Sequence, residues 1–257
     1  MSSSFVPPRW IPGQRLVRPP AAPRTMGATH HLDVPVPGQV GATPVDGDQG
    51  HAPADGGVHP GEGDGRPLVG VLALQGDVLE HLRALRRVGA RAEQVKSLAH
   101  LAAVDALVLP GGESTTIGKL LVRFGLLEPL QARIRSGLPV LGTCAGMILL
   151  SDELDQPQPQ PLVGGLHVRT RRNAFGRQLD SFDTRVEVAG IAGGPMDVAF
   201  IRAPRVVELL ADDVEVLAEV EGSPVVVRQE GLWAAAFHPE VTGDDRLHAA
   251  FVATLVT

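Results

Sequence analysis

From Leu68 to Leu150, short apolar runs alternate with segments of helical period, and the runs stop at glycine-bearing turns. That alternation narrows the possible folds more than any other feature. Leu68 to Leu74 reads as a buried strand; Val78, Leu79, Leu82, Leu85 and Val88 then recur at helical spacing up to Gly89, a C-terminal stop. Asp105 to Leu109 is a second strand, closed by Pro110-Gly111-Gly112 and followed by helical stretches from Thr115 to Phe124 and from Leu127 to Arg135. Pro139 to Gly142 is a third, running into Thr143-Cys144-Ala145-Gly146, after which Met147 to Leu150 form an apolar helical face. Strands alternating with helices pair in parallel through right-handed crossovers, which predicts a mostly parallel sheet flanked by helices in three layers.

After Asp155 the pattern changes. Gln156 to Pro161 is a Pro/Gln loop, and Val163 to Arg169, Arg185 to Val188 and Val198 to Ile201 read as extended segments. Val214 to Val220, Val225 to Gln229 and Leu232 to Phe237 read as hairpin strands, and Asp244 to Val256 as a closing helix. The expected class is therefore α/β with antiparallel additions. In open α/β sheets the ligand crevice lies beyond the carboxyl ends of the strands, where both Gly111-Gly112 and Cys144 fall.

The first 66 residues are different in kind. About a third of them are Gly or Pro and no apolar run is long enough to build a core, so residues 1 to 66 are expected to be a disordered extension and residues 67 to 257 the folded domain. Four Arg and no acid precede Asp33, as in some targeting peptides, but Pro7, Pro8, Pro12, Pro19 and Pro20 break any amphipathic helix. A start at Met26 or later is an equally good reading of this segment. A formal net charge of -6 lacks the basic excess of a nucleic-acid binder. No run approaches the roughly 20 apolar residues of a membrane-spanning helix, so a soluble, cytoplasmic protein is expected. One cysteine allows neither an intrachain disulfide nor a Cys-rich zinc site.

That cysteine lies in the frame Gly142-Thr143-Cys144-Ala145-Gly146, at a strand-to-helix junction. A lone Cys is ordinarily an inert core thiol. Here small neighbours permit the sharp turn that exposes a nucleophile, and the start of a helix favours thiolate. A thiolate that attacks an amide also needs a proton donor for the leaving amine. His238-Pro239-Glu240 follows the last expected strand and supplies a histidine with an orienting carboxylate from one turn. Pro110-Gly111-Gly112-Glu113-Ser114 places glycines after a strand, where backbone N-H groups can approach an oxyanion; Gly112 and Ala145 are the candidate donors. A phosphate loop is excluded there because its Lys and spacing are missing.

These residues resemble the class I glutamine amidotransferase domains, and within them the family of glutaminase subunits of pyridoxal 5'-phosphate synthase. The resemblance rests on Leu74-Gln75-Gly76 with Glu80-His81, and on Leu109 to Thr116. It rests also on Arg172-Asn173 with Phe175-Gly176-Arg177-Gln178, Asp180-Ser181-Phe182 and Phe200-Ile201-Arg202-Ala203-Pro204. It covers essentially Val69 to Val256 and implies a flavodoxin-like fold and glutamine hydrolysis by Cys144, His238 and Glu240. It further implies contacts to L-glutamine from Gly112, Glu113, Ser114, Arg172, Ile201 and Arg202. Gln75 would lie at the interface with a synthase subunit that accepts the ammonia, and neither a cofactor nor a metal is expected to be bound. The glutaminase of another pathway, such as imidazole glycerol phosphate synthase, is the alternative. Against it, Met147-Ile148 follows Gly146 where many relatives place a glutamine, and Val241-Thr242 follows Glu240 in place of Lys-Ser.

Overall fold

A computed structural model of the chain describes residues 65–172 and 181–256, with only the backbone at 181 and 182. The expected extension up to residue 64 and the motif at 173–180 lie outside the described residues. In the first half, β1 (Leu68–Leu72), α1 (Val78–Arg87), β2 (Arg91–Val95), α2 (Leu98–Ala103), β3 (Ala106–Leu109), α3 (Ser114–Arg123), α4 (Leu127–Arg135), β4 (Val140–Thr143) and α5 (Ala145–Leu150) alternate as the apolar pattern predicts. The second half brings β5 (Ser151–Leu154), β6 (Leu166–Arg171), β7 (Ser181–Val186), β8 (Met196–Ile201), β9 (Arg205–Leu209), β10 (Glu215–Val220), β11 (Ser223–Gln229) and β12 (Leu232–Ala235), then α6 (Pro239–Thr242) and α7 (Arg246–Ala253).

Seven strands form the central sheet in the order β10-β11-β12-β4-β3-β1-β2. The pairs from β2 across to β12 are parallel, while β10-β11 and β11-β12 are antiparallel. β1, β3, β4 and β12 are buried at every position. Strands covered on both faces read as unbroken apolar runs, and these are the runs the sequence makes conspicuous. β2 escaped that signal: as the edge strand its sequence Arg-Ala-Glu-Gln-Val leaves three of five positions partly or fully exposed. β5 and β9 also lie outside the expected extended segments; both flank β6 in a separate three-stranded sheet.

One position of α1 departs from expectation. Leu79 is 54% exposed, while His81, Leu82, Ala84 and Leu85 are buried, so a histidine holds an inward place on the helix. Partly buried Val78 with buried Leu82 and Leu85 defines the inward stripe at i, i+4 and i+7, and Leu79 lies outside it.

The strand order carries the functional consequence. The chain passes from β1 outward to β2, then returns to the other side of β1 for β3 and β4. That reversal opens a crevice at the carboxyl ends of β1 and β3. Four segments follow carboxyl ends there: Leu74 to Asp77 after β1, Pro110 to Glu113 after β3, Cys144 after β4, and Ala236 to His238 after β12.

Candidate active site

Cys144 occupies a sharp turn that its glycine neighbours permit. Its φ of 47° and ψ of -101° are uncommon for a residue with a side chain. A Cβ on Gly146 would lie 2.0 Å from the carbonyl oxygen of Leu109, and one on Gly142 2.6 Å from the carbonyl carbon of Gly146. Both glycines are thus required by close backbone approach. The Cys144 N-H donates to the Ala235 carbonyl at 2.8 Å, and its thiol faces the Ile201 carbonyl at 3.8 Å.

His238 is delivered by the strand beside that turn. Its N-H donates to Ala199 at 2.9 Å, Pro239 opens the single turn of α6, and Glu240 comes back from that turn to the imidazole. Nδ1 of His238 lies 2.8 Å from Oε1 of Glu240, which leaves the opposite ring nitrogen for Cys144. Burial alone would lower the pKa of His238, but hydrogen bonds with Asp77, Cys144 and Glu240 outweigh it and hold the ring well above its ordinary value. Burial raises the pKa of Glu240, against the pull of His238.

Gln75, Gly112, Glu113, Ser114, Arg172, Ile201 and Arg202 line one cavity of about 310 Å³ with Cys144 and His238. Ala145 and Glu240 are buried behind it, at 1% and 5% exposure. Gln75 accepts the Glu113 N-H through Oε1 at 2.8 Å, tying the turn after β1 to the turn after β3. Glu113 caps α3, accepting from Thr115 N-H at 3.2 Å and Thr116 N-H at 2.7 Å, as an acidic N-cap should. Burial opposes its charge, yet the Thr116, Thr115 and Arg172 bonds prevail and lower its pKa to about 2. Arg172 donates to Glu113 at 2.5 Å and to Thr115 Oγ1 at 2.7 Å, so its fork is engaged within the chain. Ser114 is buried, its hydroxyl directed at Gln160 at 3.3 Å.

The sequence reasoning missed several groups that complete the site. Asp77 and Ile148 line the cavity, and Oδ2 of Asp77 lies 3.4 Å from Nδ1 of His238. Gln160 accepts from Ser114, Thr115 and Arg172 through one oxygen. Beneath the site, His81 Nε2 lies 3.0 Å from Thr143 Oγ1 and 3.6 Å from Glu240 Oε1, and Nδ1 lies 2.9 Å from Nε2 of His248. Signals were at hand for two of these: His81 stands in the Glu80-His81 pair on which the resemblance rests, and Asp77 is an acid directly after a glycine at the crevice end of β1. Among the described residues, Asp77, His238 and Glu240 bring metal-type ligand atoms within 4.8 Å, but the two carboxylates already face the same nitrogen, His238 Nδ1.

The arrangement can support attack by a thiolate on an acyl carbon, with one imidazole to move the proton. Comparison with known proteins points the same way. The chain is 60% identical over 187 residues to pyridoxal 5'-phosphate synthase subunit PdxT of Frankia casuarinae, covering 72% of this chain and 94% of that one. It is 57% identical over 194 residues to the PdxT of Mycolicibacterium vanbaalenii, covering 74% and 98%. A solved structure described as a glutamine amidotransferase superposes with a TM-score of 0.70 at 46% identity, covering 74% of this chain and 99% of its own. A putative GMP synthase component from Thermoplasma acidophilum, at 19% identity and a TM-score of 0.53 over 74% of this chain and 94% of its own, shares the fold. Residues 71–257 match the SNO glutamine amidotransferase family, and with a crevice of this build and relatives this near, the chain belongs to that family.

Proposed function

We propose that the chain is the glutaminase subunit of a pyridoxal 5'-phosphate synthase. It hydrolyses L-glutamine to L-glutamate and ammonia and passes the ammonia to a synthase subunit. The observation that carries the reading is the convergence of Cys144, His238 and Glu240 at one crevice in a chain 60% identical to a named PdxT. In this reading the Cys144 thiolate attacks the side-chain carbonyl carbon of glutamine, and the developing oxyanion is met by the N-H groups of Gly112 and Ala145. His238 gives its proton to the departing ammonia, leaving a thioester on Cys144. It then takes a proton from the water that cleaves the thioester to glutamate. Glu240 holds Nδ1-H so that the other nitrogen faces the sulfur.

Gly112, Glu113, Ser114, Arg172, Ile201 and Arg202 form the glutamine subsite, with guanidinium groups matched to the substrate carboxylate. Because Glu113 already occupies Arg172, substrate has to share or displace that pairing. Gln75 is the contact to the synthase. The catalytic domain begins near residue 67, supported by a family match from residue 71, and a cytoplasmic location fits a chain in which no described helix is long and apolar enough to cross a membrane. The test is to assay glutamate and ammonia release by the purified full chain with and without its cognate synthase, and to follow incorporation of amide nitrogen into the product. Absence of glutamine hydrolysis in the assembled pair would overturn the reading.

A further inference from the structure

His238 is faced by titratable groups from every side of the crevice: Asp77 at the start of α1, His81 further along α1, Cys144 at the β4-α5 turn, and Glu240 on α6. Of these, Asp77 and His81 have no part in the function as stated, and of the two only Asp77 lines the cavity. It occupies the N-cap of α1, where aspartate is favoured because its carboxylate accepts the first free N-H groups of a helix. Here it caps nothing. Its Oδ2 lies instead 3.4 Å from Nδ1 of His238. Gly111 keeps that path open, since a Cβ there would sit 2.3 Å from Cε1 of His238 and 2.8 Å from Oδ2 of Asp77. An uncapping aspartate and a side-chain-free window are independent features, and both serve the same contact.

We propose that Asp77 is a second positioning carboxylate for His238, facing Nδ1-H from the crevice side while Glu240 holds it from the buried side. The proposal rests on the reading of Cys144 and His238 as the reacting pair. One N-H carries one proton, so Glu240 at 2.8 Å takes the hydrogen bond while Asp77 at 3.4 Å acts on the same nitrogen as an ion-pair partner. Their surroundings differ in a way that divides the work. Glu240 is buried, which makes its charge costly, whereas the half-buried Asp77 lies within ion-pair distance of His238, which favours its ionised form. Glu240 therefore fixes the direction of the ring, and Asp77 contributes the readily maintained negative charge that favours imidazolium.

The test exploits the single cysteine of the chain. Wild type, Asp77→Asn, Glu240→Gln and the double variant are compared by the rate of Cys144 alkylation with iodoacetamide as a function of pH. Glutamine hydrolysis is measured in the presence of the synthase, and thermal melts verify the fold. Loss of the Asp77 charge weakens imidazolium and with it the thiolate it pairs with. The alkylation profile of Asp77→Asn is expected to move to higher pH, and activity to fall by roughly three- to tenfold, less than a full hydrogen bond to a charged group is worth because the contact is long. The double variant is expected to lose at least as large a further factor beyond Glu240→Gln. An unmoved alkylation profile in Asp77→Asn, or a double variant no worse than Glu240→Gln, overturns the proposal. Failure of the underlying reading is seen separately, as glutaminase activity that survives complete alkylation of Cys144.

Discussion

The backbone N-H of Cys144 donates to the carbonyl of Ala235 at 2.8 Å, so the turn that carries the thiol is bonded directly to the strand that leads to His238. β4 and β12 are adjacent parallel strands, with Thr143 paired to Ala235, and their shared register fixes where thiol and imidazole meet. A substitution that shifts the β4 turn therefore disturbs both partners at once. Gly146→Ala is the sharpest such change, because its Cβ would meet the Leu109 carbonyl at 2.0 Å, and a backbone atom inside a sheet cannot retreat. We expect Gly146→Ala to cost at least about 3 kcal/mol in urea unfolding, at the severe end for single substitutions. Gly125→Ala, with φ of 66° but nothing within 4 Å, should cost only about 1 kcal/mol. Equal costs at the two positions would show that the turn after β4 relaxes freely.

Cys144→Ala should abolish glutamate release while leaving the melting temperature within a few degrees, since it removes the nucleophile and little else. Glu240→Gln should retain partial activity, because an orienting group contributes less than the nucleophile it serves. Glutamate formation near the wild-type rate in Cys144→Ala would refute the nucleophile. If Glu240→Gln is as inactive as Cys144→Ala in an unchanged fold, Glu240 does more than orient.

Acid sensitivity should come from histidines that take no part in the chemistry. Burial pushes the pKa of His248 down to about 4, with Asp245 and Arg87 acting in opposite directions, and burial together with His248 and His238 holds His81 well below its ordinary value. Both are neutral in the fold and titrate near 6.5 when unfolded. Between those pKa values the unfolded chain binds more protons, so stability is full above about pH 6.5 and is lost as the pH falls toward 4. For His248 the loss is on the order of 3 kcal/mol. Below about pH 6.5, where the raised His238 has already made most of its contribution, urea midpoints measured down to about pH 5 should therefore fall, and the fall should be shallower in His248→Phe. A flat profile would mean that these rings are protonated or solvated in the fold.

Much of the crevice was legible in the sequence because its requirements are local. Gly142 and Gly146 answer to backbone atoms a few ångströms away, and β1 and β3 are apolar at nearly every residue because both faces are covered. Other parts depend on contacts that periodicity does not record. His81 meets His248 across 167 residues and Thr143 across 62, and neither spacing leaves a trace in the helical pattern of α1. β2 was missed because an edge strand need not be apolar. Asp77 lay in plain view, but nothing local distinguishes an aspartate that caps a helix from one that turns away toward a histidine.

The remaining prediction concerns how the proposed glutaminase is held inactive until its synthase docks. Two bonds fix the peptides on either side of Gly112: the Asp77 N-H donates to the Gly111 carbonyl at 3.3 Å, and the Glu113 N-H donates to Gln75 Oε1 at 2.8 Å. A trans peptide points its N-H opposite to its carbonyl, so the first bond determines where the Gly112 N-H aims. At 3.3 Å that bond is long, and Gly112, at φ of 146°, occupies a conformation few other residues adopt. The peptide can therefore rotate if the turn after β1 moves. A synthase that presses on Gln75 would shift both bonds together and set the N-H against the developing oxyanion, a donor worth about a hundredfold to a thousandfold in rate. Coupling of this kind has a chemical rationale, since ammonia released into water is protonated and loses its nucleophilicity. The isolated chain should hydrolyse glutamine slowly, respond to added synthase by about that factor, and lose most of the response in Gln75→Ala, with glutamine affinity changed much less because the substrate groups lie elsewhere in the cavity. Glutamate release titrated with synthase, beside glutamine binding by calorimetry on the Cys144→Ala background, separates the two effects. A wild-type chain fully active alone, or a Gln75→Ala chain activated as strongly as wild type, would sink the gating mechanism and leave the glutaminase chemistry intact.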